Sequence, residues 1–262
     1  MMDAAKYTMA ISKGAGLIDQ TRQLARFWKL GERSDDFARR AINECALGND
    51  TAYRVRDILH RVFIPRFMRP NDMPARILKA VAENPMPAAT FNELVFLFAC
   101  RKDPLIHDYT VKEFWPAVRR GRTSLAADEV LSFFSGALVD GMIEKAWSEK
   151  TAIKIARGVL GILRDVGFLR EDKRHSKEIV RYRITESGLA IIARMMHDEG
   201  MSDSSISSHP DWSLFGLSRA EVLDRLDELG ETKGILVQRA GTVVHITWSP
   251  KTIEELVHVF TR

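Results

Sequence analysis

The sequence predicts a mainly α protein that takes on two small β-hairpins in its second half. Three observations point there. Apolar residues recur at helical spacing through most of the first 166 positions. Prolines, glycines and other turn residues punctuate those segments. Short strand-like runs enter only in the second half. With 262 residues, 45% hydrophobic and 28% charged, the chain has an ordinary globular composition. A chain of this size buries roughly 70–75% of its unfolded surface and needs no disulfide or metal staple.

The elements follow in order. Residues 17–30 form a first helix, closed by Gly31. Ser34 is placed to cap a second helix, with Asp35 and Asp36 in the first turn, where the helix dipole favours anions. That helix runs to about Cys45. Residues 46–50 turn, with Asp50 as the cap of a third helix, 51–64, which stops at Pro65 for want of an N–H to donate. Val55, Ile58, Leu59 and Val62 share one face of it. Pro70, Pro74, Pro85 and Pro87 bracket a short helix at 75–83, and further helices follow at about 90–101, 111–119 and 126–147.

In the second half, residues 148–166 make a helix closed by Gly167. Residues 168–170 and 179–184 read as strands around a polar tip, and Thr185 caps a helix at 186–197. Residues 200–211, GMSDSSISSHPD, read as a Ser-rich linker and the best domain boundary. Beyond them Ser218 caps a helix to Leu229, a hairpin turns about Ala240-Gly241, and a last helix begins near Pro250. Val244, Ile246 and Trp248 share one face of that hairpin.

Chemistry is sparse. The chain has no Walker A, no HExxH, no paired Cys–His zinc spacing and no complete dinucleotide fingerprint. Its seven histidines are scattered, and His197-Asp198-Glu199 reads as a solvated helix end. The expectation is a non-enzymatic protein with no metal and no cofactor. Cys45 and Cys100 stand alone, which fits a reducing, cytoplasmic setting; both are expected to be buried. No signal peptide is visible, and the apolar run at 94–100 is far short of the roughly 20 residues that span a bilayer.

Charge is more informative. The net charge is +4. Residues 1–70 hold 13 Lys and Arg against 8 Asp and Glu, and residues 148–200 hold 11 against 8; residues 201–262 are acidic, 6 against 9. Two basic blocks suggest a polyanionic partner.

The stronger constellation is in 148–197. Apolar residues fill two adjacent faces of the helix at 148–166, leaving a stripe of Lys150, Lys154, Arg157, Gly161 and Arg164. A hairpin follows whose tip carries Lys173, Arg174 and Lys177, then YRITESGL at 182–189. This order resembles a winged helix, in which a recognition helix enters the major groove and a hairpin wing reaches phosphates. The second constellation, 34–69, is helix-turn-helix in outline. It carries Arg54, Arg56 and Arg61, with Arg66 and Arg69 beyond Pro65; arginine suits phosphate forks and guanine edges. Either face also reads, more plainly, as solvated charge or a protein-docking surface. The aromatics Phe91, Phe96, Phe98, Phe114, Trp115, Phe133 and Phe134 lie in apolar stretches and read as core, which favours duplex over single strand.

Three stretches, YTMAISKGAGLIDQTRQLARFW, SDDFARRAINECALGNDTAYRVRDILHRVFIPRF and the pair WSEKTAIK and LRDVGFL, resemble the BrxA family, an accessory component of BREX bacteriophage-exclusion systems. The resemblance implies a non-enzymatic, mainly helical protein, similar to a transcription-antitermination RNA-binding fold, that binds duplex DNA. It assigns no role to any single residue.

Together these readings predict a mainly α chain: an N-terminal multi-helix bundle with a helix-turn-helix-like segment (1–125), a winged-helix-like unit (126–200), and a linker with a small C-terminal α+β unit (201–262). The expected partner is double-stranded DNA, with other BREX proteins beside it and no membrane. The alternatives are a scaffold within the BREX complex that makes no nucleic-acid contact, and an RNA-binding, antitermination-like factor.

Overall fold

The densest apolar run of the chain, LVFLFAC at 94–100, sits where such a segment must, at the centre. The computed structural model describes residues 6–13, 17–48, 50–171, 176–241 and 243–261. The central helix is α5, Ala88–Lys102, buried from Leu94 through Cys100 without a break. Before it come a 3-10 turn at Ala10–Lys13, α1 (Ile18–Phe27), α2 (Ser34–Asn43), α3 (Ala52–Ile58), a π-helical stretch at Leu59–Met68, and α4 (Met73–Glu83). After it come α6 (Pro104–Tyr109), a π turn at Thr110–Phe114 and α7 (Trp115–Arg119). The chain is mainly helical, as its periodicity predicts.

The next stretch is mixed. β1 (Ser124–Leu125), α8 (Ala127–Val139), α9 (Glu149–Val166), β2 (Leu169–Glu171) and β3 (Lys177–Ile179) form two helices and an antiparallel sheet of order β1-β3-β2. Ser124 lies opposite Glu178, and Leu169 opposite Ile179. Then follow α10 (Glu186–Asp198), α11 (Asp203–Ser207), a 3-10 turn at Pro210–Phe215, α12 (Arg219–Glu228), α13 (Gly230–Lys233), the hairpin β4 (Ile235–Ala240) and β5 (Val243–Trp248), and α14 (Ile253–Thr261). Val244 and Ile246 are buried and Trp248 half-buried, so the expected hairpin face is the packed one.

Phe168, just ahead of β2, ties these parts together. Its ring meets Phe96 of α5 at 5.2 Å, stacks on Phe114 at 5.3 Å, and takes Trp115 and Tyr182 edge-on at 5.1 and 4.5 Å. Offset and edge-to-face pairs at these distances add stability beyond area burial. The C-terminal elements are held by polar anchors. Arg101 donates to Asp211 at 2.7 Å and to Glu199 at 2.8 Å. Arg194 pairs with Asp198 at 2.8 Å and donates to the carbonyls of Pro250 and Lys251. The Trp115 indole N–H donates to the Leu214 carbonyl at 2.9 Å, and the left-handed Gly216 lies under its ring, where a Cβ would come within 2.8 Å.

Several local expectations are corrected. The helix does not stop at Pro65: a wider π turn carries the chain past it to Met68. An i→i+5 ladder re-phases the backbone around a residue that has no N–H. Asp50 does not cap the third helix; Thr51 does, its hydroxyl accepting from the Arg54 N–H at 3.2 Å. Ser34 is the first residue of α2 and makes no side-chain cap. α8 ends at Val139, before the left-handed Gly141, rather than running to 147. The second strand is Lys177–Ile179, earlier than 179–184. The Ser-rich stretch 200–211 is folded rather than an open linker, with Ile206 and Trp212 buried just within and beyond it. Cys45 is exposed, in a left-handed turn, while Cys100 is buried as expected. Thr185 and Ser218 cap their helices, and Gly167 closes α9. Among the described residues no helix is long and apolar enough to cross a membrane.

Candidate nucleic-acid interface

Two thirds of α9 must face inward because Ile155, Ala156, Val159, Leu160, Ile162, Leu163 and Val166 are apolar and interleaved at helical spacing; all are buried. What remains outside is the basic stripe: Lys150, Lys154, Arg157 and Arg164 are exposed, and Gly161 is buried beneath them. Ser148 starts the helix by accepting from the Thr151 N–H at 3.3 Å. Gly158, beside the stripe, lies against Ile11 of the N-terminal turn, where a Cβ would come within 3.1 Å of the Ile11 side chain. That turn also touches the π-helical stretch after α3, so the two basic segments are bridged by one short piece of chain.

The sheet brings the hairpin to the stripe. Arg157, Arg164 and Lys177 line a groove of about 650 Å³ between α9, the start of α8 and the hairpin, with Asp128 and Glu171 on its walls. The cations there are not equivalent. Arg164 pairs with Asp165 at 2.7 Å and Glu171 at 2.9 Å, and Lys177 shares the same Glu171. Asp165 and Glu171 push the Arg164 guanidinium above its ordinary range, and Lys177 with Arg164 holds the Glu171 carboxyl below its own. Lys150, Lys154 and Arg157, by contrast, have no ion pair among the described residues. Sequence reasoning missed Glu171, whose neutralising role depends on pairing across the hairpin. Lys173 and Arg174 lie outside the described residues.

The second basic surface is α3. Arg54 and Arg56 are exposed with no ion pair among the described residues, and Tyr53 beside them is 74% exposed. Arg61 is exposed but held by Asp57 at 2.8 Å. Arg66 is the correction here: it is buried near Asp103, and burial pulls its guanidinium below the ordinary range, so it belongs to the interior rather than to a contact surface. The aromatics expected in the core are there, with Phe133 only half-buried. Among the described residues no three His, Cys, Asp or Glu side chains gather closely enough to hold a metal ion.

A family model, BrxA, matches residues 5–195. The crystal structure of an uncharacterized protein from Magnetospirillum magneticum is similar with a TM-score of 0.57 and 21% identity, covering 74% of this chain and 95% of that one. At that identity the likeness is one of fold. No curated protein matches at a significant level.

Proposed function

We propose that this chain, which belongs to the BrxA family of BREX phage-defence components, acts by binding double-stranded DNA and catalyses no reaction itself. One observation carries the reading. The helix that presents Lys150, Lys154 and Arg157, which have no ion pair among the described residues, is followed directly by a hairpin, in a sheet of order β1-β3-β2 with two helices between its first and second strands. That order resembles a winged helix. In it α9 would enter the major groove, while Arg164 and Lys177, with Lys173 and Arg174 as the sequence suggests, would reach phosphates. The α2–α3 pair supports a second, helix-turn-helix-like contact through Arg54, Arg56 and Arg61.

Titration of a fluorescent random duplex at several salt concentrations tests this. With roughly 4–7 phosphates neutralised, log K falls against log salt with a slope of about −4 to −6. The Lys150→Ala/Lys154→Ala/Arg157→Ala variant loses up to about three units of that slope and any preference among sequences. A flat salt response, or no binding at low salt, removes the reading.

A scaffold role is the second reading, favoured by the sharing of Glu171 between Arg164 and Lys177, which neutralises part of the groove internally. Under it the titration is flat. An antitermination-like RNA role would show as structured RNA displacing the duplex at equal concentration.

A further inference from the structure

Arg157, Arg164 and Lys177 lie at the groove end of the three-stranded sheet. Its other end is also basic. α7 closes with the Gly121 N–H on the Val118 carbonyl at 2.9 Å and the Arg122 N–H on the Ala117 carbonyl at 3.1 Å, around a left-handed Gly121. Arg119, Arg120 and Arg122 are exposed about that turn. The Thr123 carbonyl then accepts from the Ile179 N–H at 2.8 Å, which brings the turn beside the end of β3, two residues before the exposed Arg181. Arg122 is engaged by Glu129 at 2.6 Å. Arg119, Arg120 and Arg181 have no ion pair among the described residues. A helix C-terminus favours cations, which accounts for Arg119 and Arg120 on α7; it does not account for Arg181, which comes from a different part of the chain.

We propose that Arg119, Arg120 and Arg181 form a second phosphate-contact patch, which holds the backbone of the same duplex that meets α9. The proposal rests on the duplex-binding reading above. Guanidinium forks match phosphate oxygens, and three with no ion pair among the described residues come from two chain segments that the Thr123–Ile179 hydrogen bond joins. The spacing also fits. Lys177 and Arg181 are four residues apart, about 13 Å along an extended chain, which is about four base-pair steps of duplex. A duplex backbone lying along β3 would pass from the hairpin to Arg181 and the Gly121 turn.

The test compares the full chain with its Arg119→Ala/Arg120→Ala/Arg181→Ala variant, titrated on the same random duplex at several salt concentrations. The expected result is weaker binding by about tenfold or more at moderate salt and a salt slope smaller by about two to three. Should this variant melt earlier than the parent, the Arg120→Gln/Arg181→Gln pair is read instead. A slope reduced by about one to two then supports the patch, and an unchanged slope overturns it. A parent that binds duplex alongside a folded variant with the same affinity and slope overturns the patch and leaves the duplex reading intact. A parent that binds no duplex at low salt removes both. Poly-glutamate serves as the competing polyanion. If it binds the parent more tightly than duplex and the variant not at all, the patch docks an acidic protein and the proposal is overturned.

Discussion

A Cβ on Gly188 would stand 2.0 Å from Oε2 of Glu93, the buried carboxylate that fastens the start of α10 to α5. Glu93 has no freedom to retreat. It accepts from the Tyr182 hydroxyl at 2.7 Å, the Thr185 N–H at 2.8 Å and the Thr185 hydroxyl at 2.5 Å, while the Thr185 hydroxyl also caps the helix at the Gly188 N–H. Alanine elsewhere in a helix is better than glycine by up to about 1 kcal/mol. Here crowding outweighs it, and Gly188→Ala lowers stability by about 1–3 kcal/mol. Urea unfolding checks this; a variant as stable as the parent would mean the carboxylate gives way.

The same carboxylate sets a pH dependence. Burial pushes the Glu93 carboxyl above its ordinary value, against the three donors that favour its charged form. A group whose folded value is raised contributes most below its unfolded value and loses that contribution as pH rises through the folded one. Glu93→Gln does not titrate there. The stability advantage of the parent over Glu93→Gln therefore narrows as pH rises above the ordinary glutamate range, as measured by denaturant unfolding at each pH. Other carboxyls are common to both proteins and cancel in the difference. A gap that widens with pH would show that the three donors outweigh burial.

Removing Glu171 releases Lys177 and loosens Arg164, which keeps its pairing with Asp165 at 2.7 Å. Glu171→Gln is expected to tighten duplex binding by a few-fold at low salt and to steepen the salt slope by about one. The side chain is well exposed, so the variant is expected to fold like the parent. Unchanged or weaker binding would show that the groove makes no phosphate contact.

On α3 the arginines divide by partner. Arg54 is exposed with no ion pair among the described residues, whereas Arg61 is held by Asp57 at 2.8 Å. Arg54→Ala is expected to weaken duplex binding more than Arg61→Ala, with both proteins as stable as the parent to within about 0.5 kcal/mol. Fluorescence titration of the two single variants decides it. Equal affinity for both variants and the parent would assign this face to solvent.

Much of the fold was legible because its signals are local. Helical periodicity depends on residues three and four apart, and the caps at Thr185 and Ser218 and the closing Gly167 act within a single turn. The basic stripe on α9 could be read for the same reason: once the apolar positions claim two thirds of a helix, Lys150, Lys154 and Arg157 have only the outside left.

The sequence alone therefore determined the mainly helical class, most of the helices, the apolar core and the exposed α9 stripe. Tertiary structure decided which charges are free. Arg66 looks like its neighbours in the sequence, yet its helix turns it inward toward Asp103. Arg164 and Lys177 look available until the hairpin brings Glu171 between them. Pro65 reads as a stop, but a π turn carries the helix past it, and the Ser-rich stretch reads as a linker until Arg101, 110 residues away, pairs with Asp211. Periodicity and capping are properties of a few consecutive residues. Burial and ion pairing depend on which distant residues the packed chain sets side by side.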